Sequence, residues 1–582
     1  MKKTAALILA VLMIIAMFAG CGGGDDTDVK NTATPDSSAG TGGDTEQGGG
    51  DEDSPYNFAK GKVQLDDQGF PLEKYDYTTP ISTTDETLSF WTVCWTPQLM
   101  PEGGLGELEY CKGQQEATGV NIEYVVVDSN SRAENFSVLL AADDLCDLSA
   151  SGMFFYPGTV NEAVLGEEYF VNIYDYMDYC PNYIYEAKMR NPDDDATYKG
   201  VFYYDDLIYG FFALQTKAQI QLSSMIRADW LDDLGIDINS IVTWDDLFDV
   251  FCRFQSEIDT CTTPWGMLNV IDQSGSYTLN AFDTMPYVKA DILPNVYQIN
   301  GEVQFANTGD NDRQLMEMLN KFWNQGLIYK DWAGMETNSD YVTAISNGNV
   351  GYMVTNPSGA IEYKSYIGDP DCYWQPLRKL VRTPGQTIHV GEQRSRVTYG
   401  HTVISTKCDN IPLAVSWCDW RYSDAGSFFV SYGVEGQTWE YNDQGEIRLT
   451  DFVLHNPDGV GMDWVMIVHT LDQLAEHGLE DVARKYAYDG GEEMLAMYDV
   501  WEDFSYDGAY EWPAGLNLDD DQTERVSIYS NDVCTYVAEN YTAFLDGSKS
   551  LTEWDSYVEG VNAIGLDAIR AIYQEAYDAY VA

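Results

Sequence analysis

The sequence predicts an α/β protein built from two lobes, and three observations lead to that prediction. Between residues 87 and 150, apolar β-favouring runs alternate with helical segments, an order typical of an α/β lobe with a mainly parallel sheet. The globular part spans roughly 525 residues, which is too many for a single hydrophobic core. A short apolar leader and a polar linker precede this part, so the two lobes are expected to be formed by the residues after the linker.

Residues 1–20 have the pattern of a bacterial signal peptide. A short positive region precedes an apolar run over 5–18, which is too short to be a spanning helix of a mature protein. The run ends in FAGC, and small residues before Cys21 resemble the lipobox of bacterial lipoproteins, although Phe18 stands where leucine is usual. The resemblance implies cleavage before Cys21 and a diacylglycerol on its sulfur. The alternative is an ordinary signal peptide with an incidental cysteine.

Residues 21–55 are expected to form a flexible tether. This stretch is rich in Gly, Asp, Thr and Ser and has almost no large apolar side chains, so it cannot bury enough surface to offset the entropy cost of ordering. A tether between a lipid anchor and a globular body predicts a protein attached to the cell membrane and facing the outside of the cell.

The charge excludes two classes of partner. The chain has 32 basic and 94 acidic residues, a net charge of −62. Nucleic-acid binding needs a basic surface, and anionic lipid would repel this chain. Most carboxylates are therefore expected on a solvated surface, with attachment supplied by the lipid. The acidic surface mildly disfavours a polyanionic sugar as the ligand, unless local cations such as Arg394 and Arg396 override that effect.

The amino-terminal part of the globular chain reads as a strand–helix–strand–helix–strand unit. Strands are predicted over 87–95, 120–127 and 145–150, with helices over 107–118 and 135–142. Ligands of open α/β sheets bind beyond the carboxyl ends of the strands. Three aromatic residues are predicted at those ends, where they either contact a ligand or fill the space between lobes: Trp95, Phe155 and Tyr156.

A series of ordered motifs resembles the large solute-binding lipoproteins of ABC importers in Gram-positive bacteria. They are NIYDYMDYCPN at 172–182, RADWLDDLG at 227–235, GNVGYM at 348–353, and DWRYSDAG followed by YGVEG within 419–436. The resemblance covers nearly the whole chain. It implies a two-lobe periplasmic-binding-protein-like fold with a hinge, an interlobe cleft and extra C-terminal helices. The stretch 256–264 is short and lacks the acidic calcium-binding insert of many relatives.

The resemblance also implies the division of the chain. A first lobe is expected over 56–213 plus 396–445, and a second over 214–395 plus 446–582. Aromatic rings suit sugar faces because C–H groups stack on them. With the three residues above, the expected ligand-binding set is completed by Trp265, Asn356, Tyr399, Trp439 and Trp512, where Asn356 is equally well explained as a turn-forming residue.

The motifs of several enzyme classes are missing from the sequence. There is no phosphate-binding GxxxxGK[ST], no GxSxG and no HExxH, and the five histidines and eleven cysteines show no metal spacing. No catalytic residue, cofactor or metal is therefore expected. The predicted function is that of a monomeric substrate-binding component that delivers a sugar or oligosaccharide to an ABC permease. The alternatives are a peptide-binding receptor of the same architecture and a surface glycoside hydrolase, which needs only two carboxylates.

Overall fold

The computed structural model describes residues 54–220, 222–266, 278–290, 292–331, 343, 345–392, 394–470, 476–488 and 490–582. The predicted signal peptide, Cys21 and nearly all of the tether lie outside these residues. Within them no helix has the length and apolar character needed to cross a membrane.

The described strands form two larger sheets and two hairpins. In chain order they are β1 (Thr87–Cys94), β2 (Asn121–Asp128), β3 (Leu148–Ala150), β4 (Phe211–Gln215), β5 (Ser223–Arg227), β6 (Thr263–Trp265), β7 (Val296–Ile299), β8 (Glu302–Phe305), β9 (Val350–Thr355), β10 (Trp374–Pro376), β11 (Val397–Ile404), β12 (Trp439–Tyr441), β13 (Ile447–Leu449) and β14 (Gly478–Glu480).

The first lobe is built on a six-stranded sheet in the order β14-β4-β11-β3-β1-β2. The strands β2, β1, β3, β4 and β14 run parallel, and β11 runs antiparallel between β3 and β4. The predicted strands over 87–95, 120–127 and 145–150 are confirmed as β1, β2 and β3. Their apolar runs reflect a sheet covered on both faces, since parallel strands are buried on both sides.

The second lobe is built on a four-stranded sheet in the order β10-β5-β9-β6. Here β5 is antiparallel to its neighbours β10 and β9, whereas β6 and β9 are parallel. The chain enters this sheet directly after β4 and returns to the first sheet through β11. The hairpins β7-β8 and β12-β13 stand apart from both sheets.

Helices cover both sheets. They are α1 (Glu109–Thr118), α2 (Arg132–Ala142), α3 (Gly152–Phe155), α4 (Pro181–Ile184), α5 (Asp195–Val201), α6 (Ala228–Leu234), α7 (Trp244–Glu257), α8 (Asp310–Asn324), α9 (Pro357–Ile367), α10 (Ile411–Trp420), α11 (Asp424–Tyr432), α12 (Asp451–Leu454), α13 (Met462–His469), α14 (Gly491–Glu502), α15 (Asp520–Leu545), α16 (Trp554–Val561) and α17 (Asp567–Val581). A capping box between Thr243 and Asp246 begins α7.

Each lobe has its own core. In the first lobe, Phe90, Phe211 and Trp417 pack between the sheet and α10. In the second lobe, α7 and α8 pack Phe251 and Phe322 around the sheet. The ten cysteines after Cys21 are free thiols that are buried or partly buried. The predicted two-lobe α/β fold is confirmed.

The third crossing of the chain, which returns it to the second lobe, lies later than the sequence predicts. The expected second-lobe segment began at 446, but β14 pairs in parallel with β4 of the first sheet. Val468 of α13 packs against Leu108 and Tyr110, which also belong to the first lobe. The difference arises because β14 completes the edge of the six-stranded sheet, and a strand of three residues has no periodicity that sequence could reveal.

Candidate functional site

The carboxyl ends of the five parallel strands line one edge of the first sheet. Trp95 follows β1, and Ser151 follows β3. The antiparallel strand β11 begins at this same edge with Val397. Because ligands of open α/β sheets bind outside the carboxyl ends of the strands, this edge is the candidate binding site of the first lobe. We call it the carboxyl edge.

Two exposed aromatic rings stack at the carboxyl edge. Tyr399 of β11 is 56% exposed and Phe154 of α3 is 54% exposed. Their ring centroids lie 5.5 Å apart and their planes differ by 28°. Two large rings that pack together yet remain half in solvent offer a flat apolar surface for another ring. We call Tyr399 and Phe154 the aromatic pair.

The backbone conformation on either side of the aromatic pair determines where the two rings lie. The pairing of β11 with β4 shifts register between Val397 and His401, and Gly400 within this irregularity has φ +116. A bulge re-aims a side chain, and Tyr399 lies within it. On the other side Ser151 has φ +53, its amide donates to the carbonyl of His401 at 2.7 Å, and the turn leads directly into α3.

The His401 ring packs against Phe154 of the aromatic pair. Its ring is 1% exposed and meets the Phe154 ring edge-on, with centroids 4.7 Å apart. The amide of Met153 donates to His401 Nε2 at 3.2 Å, which requires that nitrogen to be unprotonated. Burial lowers the pKa of His401 to about 3, because a charged ring would lose its hydration. The imidazole is therefore neutral at physiological pH.

The three residues predicted at the strand ends lie at the carboxyl edge, partly buried. The Trp95 ring faces the guanidinium of Arg132, whose carbon is 4.8 Å from the ring centroid. Phe155 packs on Trp91, with centroids 5.6 Å apart, so it contributes to the core beneath the edge. Tyr156 packs on Tyr169 at 5.9 Å.

The structure places three other predicted residues away from the carboxyl edge, as packing residues. Trp265 is the last residue of β6, where it is fully buried and stacks on Trp244 at 5.7 Å. Trp439 is buried and its indole N–H donates to the carbonyl of Gly433 at 3.2 Å. Trp512 packs between aromatic rings of α17.

Asn356 caps a helix. It follows β9 at the carboxyl end of the second sheet and precedes Pro357, the first residue of α9. Its side-chain oxygen accepts a hydrogen bond from the amide of Gly359 at 2.6 Å. This is the turn-forming role that the sequence left open beside ligand binding.

Sequence reasoning missed Phe154, His401 and Arg132. Phe154 lies beside the predicted Phe155 and Tyr156, but an irregular turn of one helical segment gives no periodicity that separates the exposed ring from the buried one. His401 is inside a strand of mainly β-favouring residues, VTYGHTVI. A histidine there is a detectable signal, since a buried polar ring needs a partner.

Two further cations near the site have partners. Arg396 is buried, and its guanidinium donates to the carbonyls of Gln215 and Glu186, both at 2.7 Å. The Glu186 carboxylate also accepts from Lys74 at 2.6 Å. Arg394 pairs with Glu502 at 3.3 Å. Among the described residues, no group of three or more His, Cys, Asp or Glu side chains could hold a metal ion.

The fold is that of the two-lobe solute-binding proteins, and the resemblance found in the sequence is confirmed at that level. A solute-binding protein described as HMO-binding and ABC-transporter-associated, from Bifidobacterium longum infantis, has a TM-score of 0.64 at 17% identity. The alginate-binding protein AlgQ2, solved without calcium ion, has a TM-score of 0.61 at 18% identity. The FusA substrate-binding protein of S. pneumoniae, in complex with kestose, has a TM-score of 0.62 at 19% identity. Each comparison covers 85% of this chain and 99% of the other.

Among curated proteins, the chain is similar to Lipoprotein LipO of Bacillus subtilis (strain 168). The two are 21% identical over 358 residues, which is 60% of this chain and 67% of LipO. No protein-family model matches the chain.

Proposed function

We propose that this chain is the extracellular substrate-binding component of an ABC importer, and that it captures a sugar or oligosaccharide between its lobes. A lipid on Cys21 holds it at the outer face of the membrane, and the loaded protein delivers its solute to the permease. The similarity to a lipoprotein supports the anchor. The solved structures with this fold support a sugar as the ligand, since they include an alginate-binding protein, an HMO-binding protein and a complex with kestose.

The aromatic pair is the observation that carries the proposal. Tyr399 and Phe154 are large, stacked and more than half exposed at the edge where α/β sheets bind ligands. A sugar ring has an apolar C–H face that an aromatic ring covers, while its hydroxyl groups remain free for polar neighbours. A large exposed apolar surface marks a binding site more often than a surface without function.

Ligand binding is coupled to transport because it shifts the population of the protein toward the closed arrangement of its lobes. A solute that contacts both lobes in the closed arrangement stabilises that arrangement by its extra contacts, and by no more than those contacts contribute. The permease then distinguishes loaded from empty protein by the shape of the closed form. The protein supplies binding and orientation, and no bond of the solute is broken.

A thermal-shift screen tests the proposal. The protein is heated with mono- and oligosaccharides and with short peptides, and each sugar is analysed afterwards for cleavage. A ligand at 100 times its Kd adds about 2.7 kcal/mol to the free energy of unfolding. Stabilisation by a sugar that is recovered intact is the expected result. A cleaved sugar would show a glycoside hydrolase, and stabilisation by peptides alone would show a peptide receptor.

A further inference from the structure

A cation at the carboxyl edge that a ligand can reach indicates which chemical group the ligand carries. Arg396 is buried against Glu186, and Arg394 pairs with Glu502. Arg132 has no such acidic partner among the described residues. It is partly exposed at the start of α2, directly after the carboxyl end of β2.

Arg132 forms no ion pair with any residue in the described part of the chain. Carboxylates far outnumber cations in this protein, with 94 acidic and 32 basic residues, yet none of the described carboxylates pairs with Arg132. Five other cations of the first lobe do form ion pairs, namely Lys60, Lys74, Lys112, Arg190 and Lys407. The ammonium groups of Lys62, Lys188 and Lys199 instead contact neutral groups.

Aromatic rings hold the Arg132 guanidinium in place at the site. Its carbon lies 4.8 Å from the centroid of the Trp95 ring and 6.0 Å from that of Phe155. Phe155 adjoins Phe154 of the aromatic pair in α3. Arg132 and the aromatic pair both lie at the carboxyl edge, the first just after the end of β2 and the second at α3 and the start of β11. Stacking on Trp95 covers one face of the guanidinium, and Nη1 donates to the carbonyl of Ser129. The N–H groups on Nε and Nη2 remain for an acceptor on the ligand.

We propose that Arg132 binds the carboxylate of an acidic sugar residue in the ligand. The inference rests on the proposed function and names the class of sugar. A guanidinium has a planar fork of N–H donors that matches the two oxygens of a carboxylate. The ligand is then an oligosaccharide with at least one uronic acid, whose carboxylate meets Arg132 while a ring of the same ligand stacks on the aromatic pair.

The net charge of −62 does not prevent such binding. At physiological ionic strength, exposed charges more than about 8 Å apart are largely screened from each other. The charges next to the carboxylate therefore decide the interaction, and the nearest at this surface is the Arg132 guanidinium. The general negative charge slows the approach of an anion more than it weakens the bound state.

A matched pair of ligands separates charge from shape. Trisaccharides of galacturonic, mannuronic and guluronic acid are titrated into the full chain at physiological salt, each beside its methyl ester, and neutral trisaccharides are titrated in parallel. At least one acid is expected to bind ten-fold or more tightly than its ester. If esters or neutral sugars bind as tightly as the acids, the inference is wrong while the proposed function stands. If no sugar binds, the proposed function fails as well.

Substitution of Arg132 gives the second test. Arg132→Gln is expected to weaken binding of the acid about ten-fold or more and leave the ester unchanged, whereas Arg132→Lys keeps the charge and restores part of the affinity. Arg253→Gln is the control, because it removes an equal charge from an exposed pair with Glu257 on α7. Equal weakening of acid and ester by Arg132→Gln would overturn the inference, and thermal unfolding of each variant confirms that it is folded.

Discussion

Tyr399 and Phe154 show how single residues define the candidate site. Neither ring is fixed by burial, since each is more than half exposed. A bulge in β11 and a turn at Ser151 bring them together. Positive φ at a non-glycine residue such as Ser151 costs free energy, and such strain collects at functional sites.

Removing a ring of the aromatic pair is expected to weaken sugar binding. Tyr399→Ala should cost about 1–2 kcal/mol of binding free energy, roughly 5- to 30-fold in Kd, because the stacking surface is halved. Calorimetric titration measures the loss. Tyr441→Ala is a matched control, since Tyr441 is equally exposed, at 56%, on the hairpin strand β12. Equal losses in the two variants would contradict the assigned site.

His401 gives a prediction about pH. Its pKa is about 3 in the folded protein and about 6.5 when unfolded. Between these values the unfolded chain binds one more proton at this residue, so acidification removes stability. His401→Gln retains an acceptor for the Met153 amide and does not titrate. The wild type should therefore lose about 1.4 kcal/mol per pH unit relative to this variant from pH 6 to 4.

Chemical denaturation of both proteins across this range measures the difference. The loss of ring packing in His401→Gln lowers its stability equally at every pH, so only the slope reports the proton. Parallel pH profiles of the two proteins would show that His401 titrates in the folded protein as it does in the unfolded chain, and would contradict the lowered pKa.

At the scale of elements, α9 depends on a cap from the second sheet. Asn356→Ala is expected to lower the free energy of unfolding by about 1 kcal/mol, because the amide of Gly359 loses its acceptor, whereas Asn356→Gly should cost only a few tenths. Denaturant unfolding of the two variants measures this. Sugar affinity should stay within about two-fold of the wild type, and a ten-fold loss would instead make Asn356 a ligand contact.

The sequence predicts helices and strands well where an apolar pattern extends over many residues. It predicts them less well where only pairing with another strand defines the element. The apolar runs of β1 and β2 are visible in the sequence, and the structure confirms both strands. Strand β14 has three residues and is defined only by its pairing with β4. Trp265 and Tyr399 both lie on strands, yet one is buried and the other exposed. That difference arises from packing across the sheets, which no local pattern contains.

At the scale of the whole molecule, two sheets joined by crossing segments form a protein that is expected to respond to ligand by closing. Contacts also link the lobes outside the crossings: Thr159 donates to Asp520 at 2.9 Å, and Asn517 donates to the carbonyl of Tyr203 at 3.0 Å. The start of α15 and the residues just before it therefore contact the first lobe near the loop that follows α3.

A bound sugar is expected to reduce the radius of gyration of the protein. The ligand contacts both lobes better when they are closed, so it shifts the population toward the compact form. Small-angle X-ray scattering with and without the stabilising sugar measures this, with a sugar that gives no thermal shift as the control. An unchanged radius at saturating ligand would mean that binding is not coupled to closure.

The proposed function depends most on an intact sugar lying on the aromatic pair at the carboxyl edge of the first sheet. A crystal structure of the protein with the sugar that stabilises it tests this most directly. We expect an uncleaved sugar with one ring stacked on Tyr399 or Phe154. A sugar bound elsewhere, or one found cleaved between two carboxylates, would contradict the account.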